Sequence, residues 1–319
     1  MFCLCCGKEI NTSNDNELQS GWHSKCAKKF FGTSDVPDIE FSDEELLLFA
    51  KSIVNRGYTV QGVQKKMSLH LTKSPEPRLT LVDYPNGYIL KPQTDIYDNL
   101  PEYEHTAMLM AEVVGIRTVP HGLIKLQNQY AYITKRVDRI INSRSTKLLA
   151  MEDFCQLSGR MTEDKYRGSY EQCTKIITEY SSTVNLDLAE FFLRILFCFV
   201  IGNADMHLKN FSLREQASGE RNYALSEAYD LLPVNIVNPV DMEETALVLN
   251  GKKSKLKKKD FVLLAQQCGI NDTAIDKMIM SIVKKQSILN AVCDYSVLNE
   301  AQKKVFKELI NSRIGVLSS

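Results

Sequence analysis

The sequence predicts an α+β protein of two lobes, a small antiparallel sheet first and a mostly helical lobe after it. Three observations carry this. Between Met67 and Leu90 apolar residues recur at every second position, with turn residues between the runs. From Met151 onward the spacing turns helical. Phe191–Ile201 is apolar nearly all round, the pattern of a helix buried at the centre of the second lobe.

The elements follow in order. Ser42 is a plausible N-cap with Glu45 three residues later, so a helix opens there, buries Leu46, Leu47, Leu48 and Ala50, and ends near Arg56-Gly57. Met67, Leu69 and Leu71 alternate with Ser68 and His70 in a first strand. Leu79–Val82 and Tyr88–Leu90 make the next two, joined by the turn residues Asp83, Pro85, Asn86 and Gly87. A helix runs from about Glu102 to Val114 and stops at Gly115. Strands near Gly122–Leu126 and Ala131–Arg136 complete the sheet. In the second lobe, helices over Asp260–Gln267, Thr273–Lys284 and Glu300–Ile314 should pack around the apolar one. The division expected is a Cys-rich segment over 1–40, a sheet lobe over 41–137 and a helical lobe over 138–319.

The chain has 319 residues, 44% of them hydrophobic and 24% charged, an ordinary composition for a folded two-lobed protein. Lys+Arg and Asp+Glu are 39 each, which argues against a protein that coats nucleic acid. The longest apolar run is interrupted by Arg194 and falls short of a membrane span. The amino end lacks the charged-then-apolar secretory pattern. A cytoplasmic protein without membrane contact is the expectation.

Of nine cysteines, Cys155, Cys173, Cys198, Cys268 and Cys293 are scattered through helical sequence and read as buried free thiols. The rest crowd the amino end. Cys3 and Cys6 form a C-x-x-C pair, and His23 with Cys26 forms H-x-x-C. Two short chelating pairs joined by a loop can close a tetrahedral zinc site with three sulfurs and one nitrogen. Such a site would order a segment that has little core of its own. The other reading is a thiol-rich docking segment; Cys5 is spare in either case.

Chemistry concentrates in Ile201-Gly202-Asn203-Ala204-Asp205-Met206-His207-Leu208-Lys209-Asn210. Phosphoryl transfer needs a carboxylate to orient the attacking hydroxyl and an oxygen ligand a few residues on to help hold Mg²⁺. Asp205 and Asn210 stand five apart, the spacing of a kinase catalytic loop. Asp230, in Ala228-Tyr229-Asp230-Leu231, lies where kinases keep their main metal ligand. The blander reading is a polar turn that caps a buried helix. His207 is either a group near the phosphates or a buried structural histidine. Lys209 could neutralise charge on the transferring phosphoryl group.

Upstream, in order, come Gln61-Gly62-Val63-Gln64-Lys65-Lys66, then Tyr88-Ile89-Leu90-Lys91-Pro92, then Glu102-Tyr103-Glu104-His105. With the segments above, this order resembles the HipA-like serine/threonine kinases, the toxin halves of bacterial toxin–antitoxin systems, from about Gly57 to Asn250. The resemblance implies a two-lobed protein-kinase-like fold that binds ATP and Mg²⁺. Gln61–Lys66 would cradle phosphates through main-chain donors, although only Gly62 stands there in place of repeated glycines. Lys91 would hold the α/β-phosphates, fixed by Glu104, with Glu102 as the rival. Lys135, Arg136 and Val137 match the hinge that meets the adenine edge. His207 and Tyr229 belong to the implied nucleotide site, and Asn210 and Asp230 would hold Mg²⁺. Thr59 occupies a position that the family can autophosphorylate, and Gln61 stands at the second such position, where phosphate cannot be accepted.

The shorter members, often called HipT, leave a small amino-terminal domain to a separate companion protein, and this chain looks like that type. The implied partners are the companion, a helix-turn-helix antitoxin through which alone DNA would be contacted, and a protein substrate such as an aminoacyl-tRNA synthetase. Two other functions stay open. One is a non-catalytic nucleotide-binding regulator, against which the full set Lys91, Asp205, Asn210 and Asp230 speaks. The other is a small-molecule phosphotransferase of the aminoglycoside type. Six lysines within Gly251–Lys259 read as a solvated loop before a helix, with an acidic or RNA partner as the sharper alternative.

Overall fold

The computed structural model of the chain describes residues 1–39, 66–72, 77–82, 86–126, 128–141 and 146–319. The helix expected from Ser42, together with Thr59, Gln61, Gly62, Val63, Gln64, Lys65, Asp83 and Pro85, lies outside the described residues. The chain divides into two compact units, one of Met1–His105 with Pro120–Arg136 and one of Thr106–Val119 with Val137–Ser319.

The first unit is built on a sheet. Its elements are α1 (Asp15–Ser20), α2 (Ser24–Phe31), β1 (Asp38–Ile39), β2 (Met67–Thr72), β3 (Arg78–Val82), β4 (Tyr88–Lys91), the first turns of α3 (Leu100–Val114), β5 (His121–Leu126) and β6 (Gln129–Lys135). The strand order is β1-β3-β2-β4-β6-β5. All neighbours run antiparallel except the short β1, which lies parallel to β3. The period-two reading works because alternate residues share one face: Leu69, Leu79, Leu90 and Ile133 are fully buried there. Lys91 ends β4 opposite Tyr132, so it is held in the sheet rather than on a loop.

The amino-terminal segment has more core than expected, which corrects that reading. Trp22, Phe30 and Phe31 are buried and pack with Tyr88 of β4, ring centroids lying 4.7 to 5.8 Å apart. Leu4 and Ile10 are buried as well. The apolar residues are few, but the aromatic ones are large and each buries much area. Their irregular spacing hid this.

The second unit begins with the later turns of α3 and resumes at Val137. It holds the hairpin β7 (Arg139–Ile141) and β8 (Thr146–Leu148), then β9 (Met151–Asp153), α4 (Phe154–Leu157), α5 (Tyr170–Tyr180), α6 (Val184–Ile201), β10 (Ser212–Glu215), β11 (Tyr223–Leu225), α7 (Val234–Val237), α8 (Lys258–Gln267), α9 (Asp272–Val283), α10 (Gln286–Tyr295) and α11 (Glu300–Ser318). The stretch after Met151 is thus not all helical: β9, β10 and β11 form a three-stranded antiparallel sheet. Strands of three and four residues leave too little alternation to be seen.

Helix α6 is the core helix, packed by α5, α8, α9 and α11. Arg194 sits inside it with no exposure, its Nη2 2.6 Å from the Ser226 carbonyl and 3.0 Å from Glu190 Oε1. Asp187 accepts from Ser181 Oγ at 2.6 Å and from the Leu225 amide at 2.8 Å. The two buried charges of this apolar helix, Asp187 and Arg194, are therefore hydrogen-bonded, and both tie it to the stretch around β11 that leads toward Asp230. No helix among the described residues is long and apolar enough to cross a membrane.

Candidate active site

Gly202 ends α6 in a left-handed conformation, φ +71°, and its amide donates to the carbonyls of Cys198 and Phe199. A Cβ there would lie 2.5 Å from Leu309 Cδ2, so a larger residue at this exit would be strained and would have to displace that side chain. The chain then folds on itself. The Asp205 amide donates to Asn203 Oδ1 at 3.1 Å, and the His207 amide donates to the Asp205 carbonyl at 2.8 Å. Asn210 Nδ2 donates to the same carbonyl at 2.9 Å. Asn210 is buried, and its carboxamide nitrogen is thereby committed, so its oxygen is the atom available to a cation. The two residues singled out by their spacing are braced directly against each other.

Several side chains hold this segment from outside. Tyr170 donates its hydroxyl to the Met206 carbonyl at 3.1 Å, and the Leu208 amide donates to Lys165 at 3.1 Å. Tyr229 donates to the Lys209 carbonyl at 3.1 Å and shares a 2.6 Å hydrogen bond with Ser212 Oγ. Tyr229 thus braces the segment from the strand side. Its neighbour Ala228 is strapped to Arg117 and Val119 through backbone bonds of 2.7 and 3.0 Å. Asp230, next in line, has φ +55°. Aspartate tolerates the left-handed region better than most residues, and a non-glycine residue held there marks a constrained position.

His207 is buried, its ring edge-on to Tyr166 at a centroid distance of 5.0 Å. Lys209 Nζ lies 2.8 Å from Asp153 Oδ2, a carboxylate partner that sequence reasoning missed. It missed Tyr166 too, whose hydroxyl donates to Asp205 Oδ1 at 2.6 Å. Burial of that hydroxyl, and then the Asp205 charge, push the Tyr166 phenol above its ordinary range, so it remains a proton donor. An exposed tyrosine 39 positions away carries no local signal of this role.

In the first unit, Lys91 Nζ lies 2.5 Å from Glu104 Oε1, and both side chains are almost fully buried. Glu102 instead accepts from Asn99 at 2.9 Å, and burial raises its carboxyl above the usual range. Between the two glutamates, Glu104 is the one beside Lys91. Lys135 and Arg136 end the sheet: the Lys135 amide donates to Pro120 and the Arg136 amide to Gly87, both at 3.0 Å. Val137 is the first residue of the second stretch of the second unit. Lys66 is exposed just before β2.

At the amino end, the ligand atoms of Cys3, Cys6, His23 and Cys26 all lie within 4.8 Å of one another, so the two chelating pairs meet. Cys155, Cys173, Cys198, Cys268 and Cys293 are buried and free, and burial pushes the thiols of Cys198, Cys268 and Cys293 up to about 12. In the lysine-rich loop, Lys252 is bound to the buried Asp260 at 2.8 Å and Lys253 to Glu243 at 3.1 Å.

Comparison with known proteins adds the family. The chain is 25% identical, over 95% of its own length and 94% of the other, to a Haemophilus influenzae protein named "Putative kinase". It is 30% identical to "Putative kinase Y4dM" of Sinorhizobium fredii over 76% of this chain, and spans 61% of that protein. Among solved structures, HipA from the Shewanella oneidensis complex of HipA, HipB and operator DNA matches 84% of this chain and 72% of its own with a TM-score of 0.69 at 17% identity. The Helicobacter pylori proinflammatory kinase CtkA matches 79% of this chain and 93% of its own with a TM-score of 0.52 at 15% identity. The fold is therefore the two-lobed, kinase-like one. The family model for the HipA-like C-terminal domain matches residues 58–288, and the chain belongs to that kinase-like family.

Proposed function

We propose that the chain is an ATP-dependent protein serine/threonine kinase and the toxin of a bacterial toxin–antitoxin system. The observation that supports this most is the hydrogen bond from the Asn210 side-chain amide to the Asp205 main-chain carbonyl, which holds the two residues together in one short segment. The residues present fit ATP and Mg²⁺. Asn210 keeps a carboxamide oxygen for a cation, and Asp230 supplies a carboxylate from a constrained backbone. Lys91 is a buried cation with its rotamer fixed by Glu104, as a phosphate-holding lysine requires. A buried ion pair contributes little to stability by itself, so its presence favours a functional reason. When bound, ATP supplies the γ-phosphoryl group and Mg²⁺ offsets its charge.

In this reading Asp205 orients the substrate hydroxyl and takes its proton. Lys209 and His207 lie on the same segment, where Lys209 offsets charge while tethered to Asp153. Gln61–Lys66 would cover the phosphates, Lys135–Val137 would meet the adenine, and Thr59 would be the site of silencing autophosphorylation. The Shewanella complex of HipA, HipB and operator DNA supports an antitoxin partner, through which DNA would be contacted. A companion protein and an aminoacyl-tRNA synthetase substrate, met in the cytoplasm, complete the proposal.

One observation favours a second reading. The Tyr166 hydroxyl already occupies a hydrogen-bonding position on Asp205, as it would in a nucleotide-binding regulator that does not turn over. Incubating the purified chain with a thiophosphate ATP analogue and a bacterial lysate separates the possibilities. A labelled protein band is expected. No label supports the regulator, and a labelled metabolite supports a small-molecule phosphotransferase.

A further inference from the structure

Three thiols and an imidazole converge in the amino-terminal segment, far in sequence from the residues considered above. The first pair lies on a tight turn. The Gly7 amide donates to the Cys3 carbonyl at 2.9 Å, and Gly7 has φ +66°, which a glycine adopts without strain. The second pair lies at the start of α2, where His23 is the N-cap and the Cys26 amide donates to its carbonyl at 2.8 Å. Each pair is thus positioned by backbone geometry, and the two are brought together by the fold rather than by adjacency.

The imidazole is set for ligation. His23 Nε2 lies 3.1 Å from the Glu9 carbonyl oxygen. A carbonyl only accepts, so Nε2 carries the proton and Nδ1 keeps its lone pair. Nδ1 faces the thiols, 3.5 Å from Cys6 Sγ and 3.9 Å from Cys26 Sγ. This is the arrangement by which a metal-bound histidine is fixed in tautomer and orientation. The His23 amide in turn points at Cys3 Sγ at 3.4 Å, a contact that favours a thiolate. Thiols are weak hydrogen-bonding groups, and packing three of them around an imidazole gains little by itself. Around a zinc ion, sulfurs at about 2.3 Å stand about 3.8 Å apart, and all four ligand atoms here lie within 4.8 Å of one another.

We propose that Cys3, Cys6, His23 and Cys26 bind one Zn²⁺, and that this ion locks the amino-terminal segment onto strand β5. Four protein ligands leave no open position, so the site is structural. The lock follows from what stands beside the ligands. Leu4, next to Cys3, accepts from the Leu123 amide at 2.8 Å. Trp22, next to His23, donates from Nε1 to the Leu123 carbonyl at 2.8 Å. One residue of β5 is therefore held from both sides by the immediate neighbours of two ligands. Gly122 makes room for this, since a Cβ there would lie 2.5 Å from the Trp22 ring. Cys5 is left over as a thiol outside the ligand set.

The full chain, purified under reducing conditions without chelators, should carry about one zinc by elemental analysis. Replacing zinc with Co²⁺ should give the near-ultraviolet sulfur-to-cobalt band and the visible bands of a tetrahedral site. Trp22 is the only tryptophan in the chain, so its emission reports the lock directly. Stripping the metal should move that emission to the red, and restoring zinc should reverse it. Cys26→Ser should lower the bound metal at least tenfold. Should that variant fail to fold, the cobalt spectrum of the wild-type chain still decides. Absence of zinc and of cobalt uptake with all nine cysteines reduced would overturn the proposal. So would a mass two units low from a disulfide among these thiols, or metal content unchanged in Cys26→Ser.

Discussion

In the proposed kinase, Tyr166 would compete with a substrate for Asp205. Its hydroxyl sits on the carboxylate at 2.6 Å, in the place a substrate hydroxyl would need. Tyr166→Phe keeps the ring against His207 and removes only that competitor, worth about 1 kcal/mol. Steady-state phosphoryl transfer should therefore rise about fivefold at low substrate and little at saturation. A fall in rate would mean that the phenol assists rather than competes. The Lys91–Glu104 pair makes a different residue-scale prediction. Lys91→Ala strands a buried carboxylate, which should cost about 3–5 kcal/mol in urea unfolding. Adding Glu104→Leu should recover most of that stability and none of the nucleotide binding. Recovery of both would show that the pair serves only the fold.

At the scale of elements, the exit of α6 matters most. Gly202→Ala forces a side chain into the left-handed region and against Leu309, so it should destabilise by about 1–3 kcal/mol and displace Asp205 with it. Urea unfolding measures the first effect. The catalytic rate should fall more than the stability loss alone explains. The elements differ in how far the sequence revealed them. β2, β3 and β4 were legible because one face is buried and the other is not, which imprints period two. α6 was legible from Phe191 by apolar density, but its first turn from Val184 was missed because Asn185, Asp187 and Glu190 interrupt the pattern. β10, Ser212–Glu215, carries two charged residues in four and depends on partners far along the chain. Asp205, Lys209 and Asn210 stand out in the sequence because polar and charged residues crowd a short stretch after an apolar helix. The left-handed backbone of Asp230, the Tyr166 hydroxyl and the Asp153 tether do not, since each is a product of tertiary contacts.

For the whole molecule, pH should act through His105. It is buried at Nδ1–Nδ1 distance 3.0 Å from His121, and burial holds its pKa well below the ordinary value. Below about pH 6.5 the unfolded chain binds a proton that the folded chain refuses. Its stability contribution is thus fully present above that pH and is lost as pH falls, by up to about 1.4 kcal/mol per unit. Denaturant unfolding at pH 7.5 and 5.5 should show the loss, and His105→Gln should flatten it; an unchanged slope would remove His105 from the account. The aromatic anchoring of residues 1–39 to the sheet was not legible in the sequence, because Trp22, Phe30 and Phe31 find Tyr88 only through the fold. The central claim is phosphoryl transfer by the braced Asp205–Asn210 segment. The measurement that tests it most directly is thiophosphate transfer by wild-type and Asp205→Asn chains, with nucleotide affinity measured in parallel by calorimetry. The account predicts that Asp205→Asn binds the nucleotide within about twofold of wild type and transfers about 10²- to 10⁴-fold more slowly. Equal transfer by the two chains would contradict it.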